Sequence, residues 1–370
     1  MQPLVDSDQF IGGDRGTYLY TPGEGLVPNT VPAACQAYLR NKVDGVPGRV
    51  AHLAVAAGAR EQLCALMPGA LPDDIAFLGS SSEGVNAIYN LIDWRAGDNV
   101  VLMTNDLEFP SVVLPAVRCE PSGLEIRRVE RSSWHVTETA IADAVDARTR
   151  LVFVSHVSYR TGYRLDLTRL RELLVGSEAL LAVDATQSLG VISVPAKSCD
   201  FLVATTCKWL LGPHGLGVFY WNRERLPDVV PSSIGWYSVV DDLHFPYELK
   251  LDAERFELGG PNLLGIYALE TGLRVLTGLG IETVSAHALS LAATARAELA
   301  ARGLPLMTPD DRDRGSGIVA WEDPLCADTA RAFAERGVIV TGSSGRIRVG
   351  FHLYNDDGDL EELLATIAKA

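Results

Sequence analysis

Residues 180–221 read LLAVDATQSLGVISVPAKSCDFLVATTCKWLLGPHGLGVFYW, and this stretch decides the fold. The apolar run 180–183 offers no polar face to solvent, so it reads as a strand covered on both sides, the mark of a parallel sheet between helices. It delivers Asp184 to its C-terminal end. A second such run, 201–204, ends in Thr205, Thr206, Cys207 and Lys208, and a glycine-punctuated, hairpin-like segment follows at 212–217. One carboxylate and one lysine therefore reach neighbouring strand ends, where open α/β sheets collect their ligands.

A carboxylate and an amine at that edge meet the needs of pyridoxal 5'-phosphate. The cofactor requires a lysine for its Schiff base and an acid against the pyridine nitrogen, which keeps the ring protonated and electron-withdrawing. Lys208 and Asp184 are the expected pair. Taken alone, an acid and a lysine so placed would more often cap a turn and edge a loop, so the reading rests on the rest of the chain.

Working outward, 73–78 reads as a strand that turns through Gly79, Ser80, Ser81 and Ser82 into an amphipathic segment, 87–94. A strand entering a helix through small hydroxyl residues makes an anion site, because the first helical N–H groups are unpaired and the helix dipole favours negative charge. Ser81 and Ser82 are the expected phosphate donors, against the plainer use of one serine as a cap. Further strands are expected at 99–104, 124–129 and 150–154, with a helix at 136–146 between the last two. Strand and helix in alternation imply parallel crossovers and a doubly wound sheet. Helices are also expected within 31–66, interrupted at Gly45-Val46-Pro47-Gly48, at 262–279 with glycine breaks, and at 281–302. The shift toward helices and short strands after about Asp252 suggests a large domain at 1–251 and a smaller C-terminal one at 252–370. Near the end, Arg346 and Arg348 stand two apart in a strand-like run and so share a face. Arginine's planar fork is suited to gripping an amino-acid carboxylate.

A net charge of −15 over 370 residues and the lack of a basic stripe argue against a nucleic-acid partner. Cysteines 35, 64, 119, 199, 207 and 326 form no C-x-x-C pair and no cluster with histidine, so no metal site is expected. A reduced, cytoplasmic thiol population fits better. The N-terminal residues lack the basic and apolar regions of a signal peptide, and no apolar run reaches the length of a membrane span. A soluble cytoplasmic protein with no membrane partner is the expectation.

The segment VDATQSLG (183–190) followed by CKWLLGPHG (207–215) resembles the class V aminotransferase superfamily of fold-type I pyridoxal phosphate enzymes. That group spans cysteine desulfurases, selenocysteine lyases, kynureninases and isopenicillin N epimerase-like enzymes, and the likeness runs from Tyr18 to Leu364. It implies a mostly parallel seven-stranded sheet flanked by helices, with a smaller α+β C-terminal domain. It supports Ser81 and Ser82 at the phosphate and adds Thr205 there. It also implies Phe109 stacked on the pyridine face, Ser158 and Gln187 at the 3-hydroxyl, and Arg348 on the substrate carboxylate. The segment HVSYRTG (156–162) most resembles the epimerase-like and kynureninase-like branches, which implies that Tyr159 and Arg160 face the substrate, although Arg160 reads equally well as a solvated strand-end charge. A homodimer is implied as well, with Gly260 reaching the other subunit's phosphate; the family carries a threonine there, so only a backbone N–H remains.

Two departures bear on chemistry. Cys207 stands where desulfurases place a histidine, and GVIVTGSSGRIR (337–348) lacks their mobile-loop cysteine, with Cys326 too early to replace it. The expected activity is a lyase acting on an α-amino acid by β-elimination, C–S lyase-like, without persulfide formation. Epimerase- or aminotransferase-type chemistry is the alternative, and an inactive cofactor-binding relative the third reading.

Overall fold

Successive strand residues feed two different apolar layers. Val152 and Val154, with Leu181 and Val183, belong to one, whereas Leu151 and Phe153, with Ala182, belong to the other. Strand side chains alternate faces, so both faces are buried, as the unbroken apolar runs require. Burying a side chain such as Phe153 contributes roughly 1.5–3 kcal/mol.

The structure is a computed structural model that describes residues 1–104, 106–241 and 245–368; Asn105, ahead of Phe109, and the C-terminal Lys369 and Ala370 lie outside the described residues. In chain order the first elements are β1 (Thr17–Tyr18), α1 (Val31–Val43), α2 (Val46–Leu66), β2 (Ile75–Leu78), α3 (Ser81–Leu91), β3 (Asn99–Met103), α4 (Pro110–Cys119) and β4 (Glu125–Val129). Then come α5 (Glu138–Asp143), β5 (Thr149–Ser155), α6 (Leu167–Leu173), β6 (Leu180–Asp184), β7 (Phe201–Thr205), β8 (Gly217–Trp221) and α7 (Leu263–Leu279). The sheet is seven-stranded in the order β2-β8-β7-β6-β5-β3-β4. β8 runs antiparallel to both neighbours and every other pair is parallel. The C-terminal ends of β2, β3, β5, β6 and β7 therefore share one edge. α2, α5, α6 and α7 cover one face, and α3 and α4 the other.

The chain closes with α8 (Ile281–Ala301), β9 (Ile318–Glu322), α9 (Cys326–Ala334), β10 (Val338–Ile339), β11 (Thr341–Ser343), β12 (Arg346–Gly350) and α10 (Asp357–Ile367). β11, β12 and β9 form an antiparallel sheet with its own apolar cluster, which includes Leu291, Phe333 and Leu363. β1 crosses back to pair with β10.

Several boundaries move from their expected places. The glycines of 262–279 do not break α7: a Cβ at Gly272 would stand 2.5 Å from the Leu210 carbonyl oxygen, so this residue permits close helix packing instead. The interruption between α1 and α2 shrinks to Asp44 and Gly45, because Pro47 is accommodated in the first turn of α2. The helix expected at 136–146 spans only Glu138–Asp143, capped by the Thr137 hydroxyl. The strand 73–78 begins at Ile75, after a short 3-10 turn at Pro72–Asp74. No single helix among the described residues is long and apolar enough to cross a membrane.

Candidate active site

Asp184 is the last residue of β6 and pairs in register with Ser155 of β5 and Val203 of β7. Its side chain is buried, and Oδ1 accepts the Thr186 N–H at 2.8 Å. Among the described residues no cation stands within ion-pairing distance of it. Burial pushes its carboxyl above the ordinary range, partly offset by Thr186 and Lys208.

Lys208 follows β7 by three residues. Its backbone is held closely: Gly25 donates its N–H to the Cys207 carbonyl at 2.9 Å, and a Cβ at Gly25 would stand 2.0 Å from the Lys208 carbonyl oxygen. The N-terminal loop thus packs against the segment that carries Lys208. The Lys208 amine lies 5.5 Å from the centroid of the Phe109 ring and has no carboxylate partner among the described residues. Burial lowers its pKa, Arg348 lowers it further, and Asp184 opposes both. The amine is thereby biased toward its neutral, nucleophilic form.

At the end of β2, Ser80 caps α3, its hydroxyl accepting the Glu83 N–H at 3.1 Å. The capping duty thus falls to Ser80, which leaves Ser81 and Ser82 in the first helical turn. Ser82 Oγ lies 2.8 Å from Ser111 Oγ at the start of α4. Phe109, just before α4, is 40 % exposed, and the Tyr159 ring meets it edge-on at 5.4 Å. Ser158 Oγ donates to the Leu107 carbonyl at 3.2 Å and so secures the loop that carries Phe109. The Gln187 amide donates to the Pro22 carbonyl at 2.9 Å, and its oxygen accepts the indole N–H of buried Trp209 at 2.8 Å. One amide hydrogen is left. Thr205 Oγ1 lies 3.4 Å from Cys207 Sγ.

Arg348, on β12, donates from Nη1 to the Tyr159 carbonyl at 2.6 Å, and Arg346 stacks 5.2 Å from the Tyr159 ring centroid. The two arginines share a face as their spacing requires. Arg160 donates to the Ser344 carbonyl at 3.1 Å, in the turn between β11 and β12. Lys208, Asp184, Phe109, Tyr159, Arg160 and Arg348 are thus linked across one edge. Gly260, in contrast, is exposed, with open space where a Cβ would stand.

Glu108 escapes a reading by sequence alone. It is fully buried, accepts the Ser155 N–H at 2.9 Å and lies 2.5 Å from Ser155 Oγ. Burial, with a smaller push from Asp184, raises its carboxyl to about 8. The signal was a single acid between Leu107 and Phe109 at a strand end, where nothing basic was expected.

A buried carboxylate lacking any cation calls for one, and the protonated nitrogen of a pyridine ring supplies it; the neutral-leaning amine of Lys208 answers the same molecule's aldehyde. Pyridoxal 5'-phosphate fits these residues, and the fold and site define a fold-type I pyridoxal phosphate enzyme. The chain belongs to the class V aminotransferase family, whose model matches residues 17–363. It is 28% identical over 317 residues to a probable cysteine desulfurase of Pyrococcus abyssi, covering 80% of this chain and 79% of that one. It is also 28% identical, over 319 residues, to an uncharacterized aminotransferase of Bacillus subtilis, covering 84% and 82%. In fold it is similar to the apo cysteine desulfurase from Thermococcus onnurineus, with TM-score 0.88 at 24% identity over 98% of this chain and 96% of that one.

Proposed function

We propose that this enzyme is a lyase that cleaves a bond at Cβ of an α-amino acid, with sulfur as the leaving atom. The observation that carries the reading is the half-buried amine of Lys208, free of any carboxylate partner and set within electrostatic reach of both Asp184 and Arg348. Bound there, the cofactor supplies an electron sink for the pair left when Cα loses its proton. Lys208 would hold the cofactor and serve as the base for the Cα proton. Asp184 would keep the ring nitrogen charged. Ser81, Ser82 and Thr205 would hold the phosphate, Phe109 would stack against the ring, and Ser158 and Gln187 would bind the 3-hydroxyl. Arg348 grips the substrate carboxylate, with Tyr159 and Arg160 alongside. Gly260 reaches a second copy of the chain, so the working form is a homodimer.

Sulfur as leaving atom is supported by the desulfurase name of the Pyrococcus relative. The absence of a cysteine from 337–348, and the burial of Cys326 in the first turn of α9, speak against a persulfide carried on the protein. Incubation with cysteine S-conjugates is expected to release pyruvate and ammonia; a broad panel without release would overturn the reading. Transamination, the second reading, is favoured by the aminotransferase name of the Bacillus relative, and keto-acid-dependent amino transfer would identify it.

Arg348→Gln is expected to lower kcat/KM on the order of 10²-fold, since a charge-assisted bond is worth about 1.5–3 kcal/mol. The loss should appear mainly in KM. Phe109→Ala is expected to weaken cofactor retention roughly tenfold, the scale of a lost ring contact, read as the cofactor left after desalting.

A further inference from the structure

Three arginines cluster at the site without a carboxylate partner among the described residues. Arg60, for comparison, is paired with Glu254 at 3.0 Å and Glu257 at 2.8 Å. Arg160, Arg346 and Arg348 have no carboxylate partner among the described residues, in a chain with 47 acidic residues to 32 basic ones. Arg346 is 2 % exposed and Arg348 5 % exposed. The Nε atom of each of the three is buried without any acceptor. Their hydrogen bonds go to backbone carbonyls and one hydroxyl: Tyr159 O and Thr341 Oγ1 for Arg348, Ser343 O at 3.4 Å for Arg346, and Ser344 O for Arg160, which also lies 5.8 Å from the Trp134 ring centroid. An unpaired guanidinium in a water-poor place is costly, and three side by side also repel one another.

A single α-carboxylate satisfies one planar fork. Resting on the amino-acid site proposed above, we infer that the substrate carries a second anionic group, a side-chain carboxylate. Arg348 takes the α-carboxylate, and Arg346 with Arg160 takes the distal one on the far side of Tyr159. The geometry suits this division. The Tyr159 ring meets both Phe109, beside Lys208, and the Arg346 guanidinium, so a substrate side chain extending past Tyr159 ends among guanidinium Nε groups that have no acceptor. Discrimination then follows from the site's own need, since a substrate without the distal anion leaves those donors unpaired.

The test is titration of the holoenzyme with two ligand series, followed by the absorbance of the bound cofactor. L-alanine and L-2-aminobutyrate form one series; L-aspartate, L-glutamate and S-carboxymethyl-L-cysteine form the other, with L-cysteine sulfinate as a sulfur-oxyacid arm. At least one dianionic ligand is expected to half-saturate at a concentration tenfold or more below the uncharged-side-chain series. Arg346→Gln should bring that ratio close to one, and Arg346→Lys should restore part of it. Equal half-saturation of both series by the wild-type enzyme would overturn the inference, and this comparison does not depend on either variant folding. A ratio unchanged in a folded Arg346→Gln protein would overturn it too. Sulfinate preferred over every carboxylate would replace the carboxylate by a sulfur oxyanion. Response to both series with equal affinity would leave the amino-acid site standing without its second anion; no response to any amino acid would remove both.

Discussion

Lys208→Ala is expected to abolish turnover, by roughly 10⁴-fold or more. The amine has two duties in the proposed reaction: it fastens the cofactor, and it carries the Cα proton. Proton transfer by a positioned side chain alone is worth about 10²–10⁴-fold, and loss of the fastening adds to it. The fold should survive. The amine makes no ion pair among the described residues, and its burial beside Arg348 is unfavourable to the charged form, so an alanine relieves a like-charge contact. Steady-state rates with saturating cofactor, alongside circular dichroism and borohydride trapping, check this. A variant within tenfold of the wild-type rate would remove Lys208 from the mechanism. Because its pKa is lowered from the lysine value, a smaller part of the amine population is charged at neutral pH than for a surface lysine.

The sheet was legible because its strands are apolar on both faces. Runs such as 180–183 and 201–204 have no other stable home, and the acid and lysine at their ends follow the chain direction. Local periodicity says less about how strand ends are joined. Ser158 and Gln187 are read as reaching a ligand, yet their polar atoms also hold the loop under Phe109 and tie the N-terminal loop to Trp209. A side chain's type shows what it can bond, whereas which neighbour claims it depends on segments far apart in sequence, here Pro22 and Gln187. The same holds for the arginines. Spacing put Arg346 and Arg348 on one face, but that neither has a carboxylate becomes visible only once the packing around Tyr159 is in place. The glycines of α7 escape a local reading for a related reason: Gly272 serves the approach of Leu210, which no single segment displays.

Glu108 supplies the second large effect, a contribution to stability that falls as pH rises from about 4.5 to about 8. Its carboxyl, about 8 in the fold against an ordinary 4.5, keeps a proton that the unfolded chain has already released. Between those values the native state binds more protons, so stability declines as pH climbs, by about 5 kcal/mol as a ceiling at 1.36 kcal/mol per unit. Glu257, raised to about 7, acts in the same direction. The buried histidines His156 and His352, lowered to about 3, act oppositely, adding stability as pH rises toward 6.5 and nothing beyond it. Above pH 6.5 the carboxyls prevail.

Glu108→Gln keeps the shape: an amide oxygen accepts the Ser155 N–H and an amide hydrogen points at Ser155 Oγ, yet nothing titrates. The stability gain of the variant over wild type in urea unfolding should therefore grow from pH 5 to 8 and level off above. Glu257 and the histidines cancel in that difference, and a gain independent of pH would show that Glu108 is ionised in the fold. The consequence reaches the chemistry through Asp184. Two ionised acids sharing this pocket would repel, so in the proposed mechanism a neutral Glu108 would spare Asp184 a like charge beside it while it holds the ring nitrogen. Wild-type cofactor affinity should accordingly change above about pH 8, where Glu108 loses its proton, while the affinity of the Glu108→Gln variant stays steady through the same range.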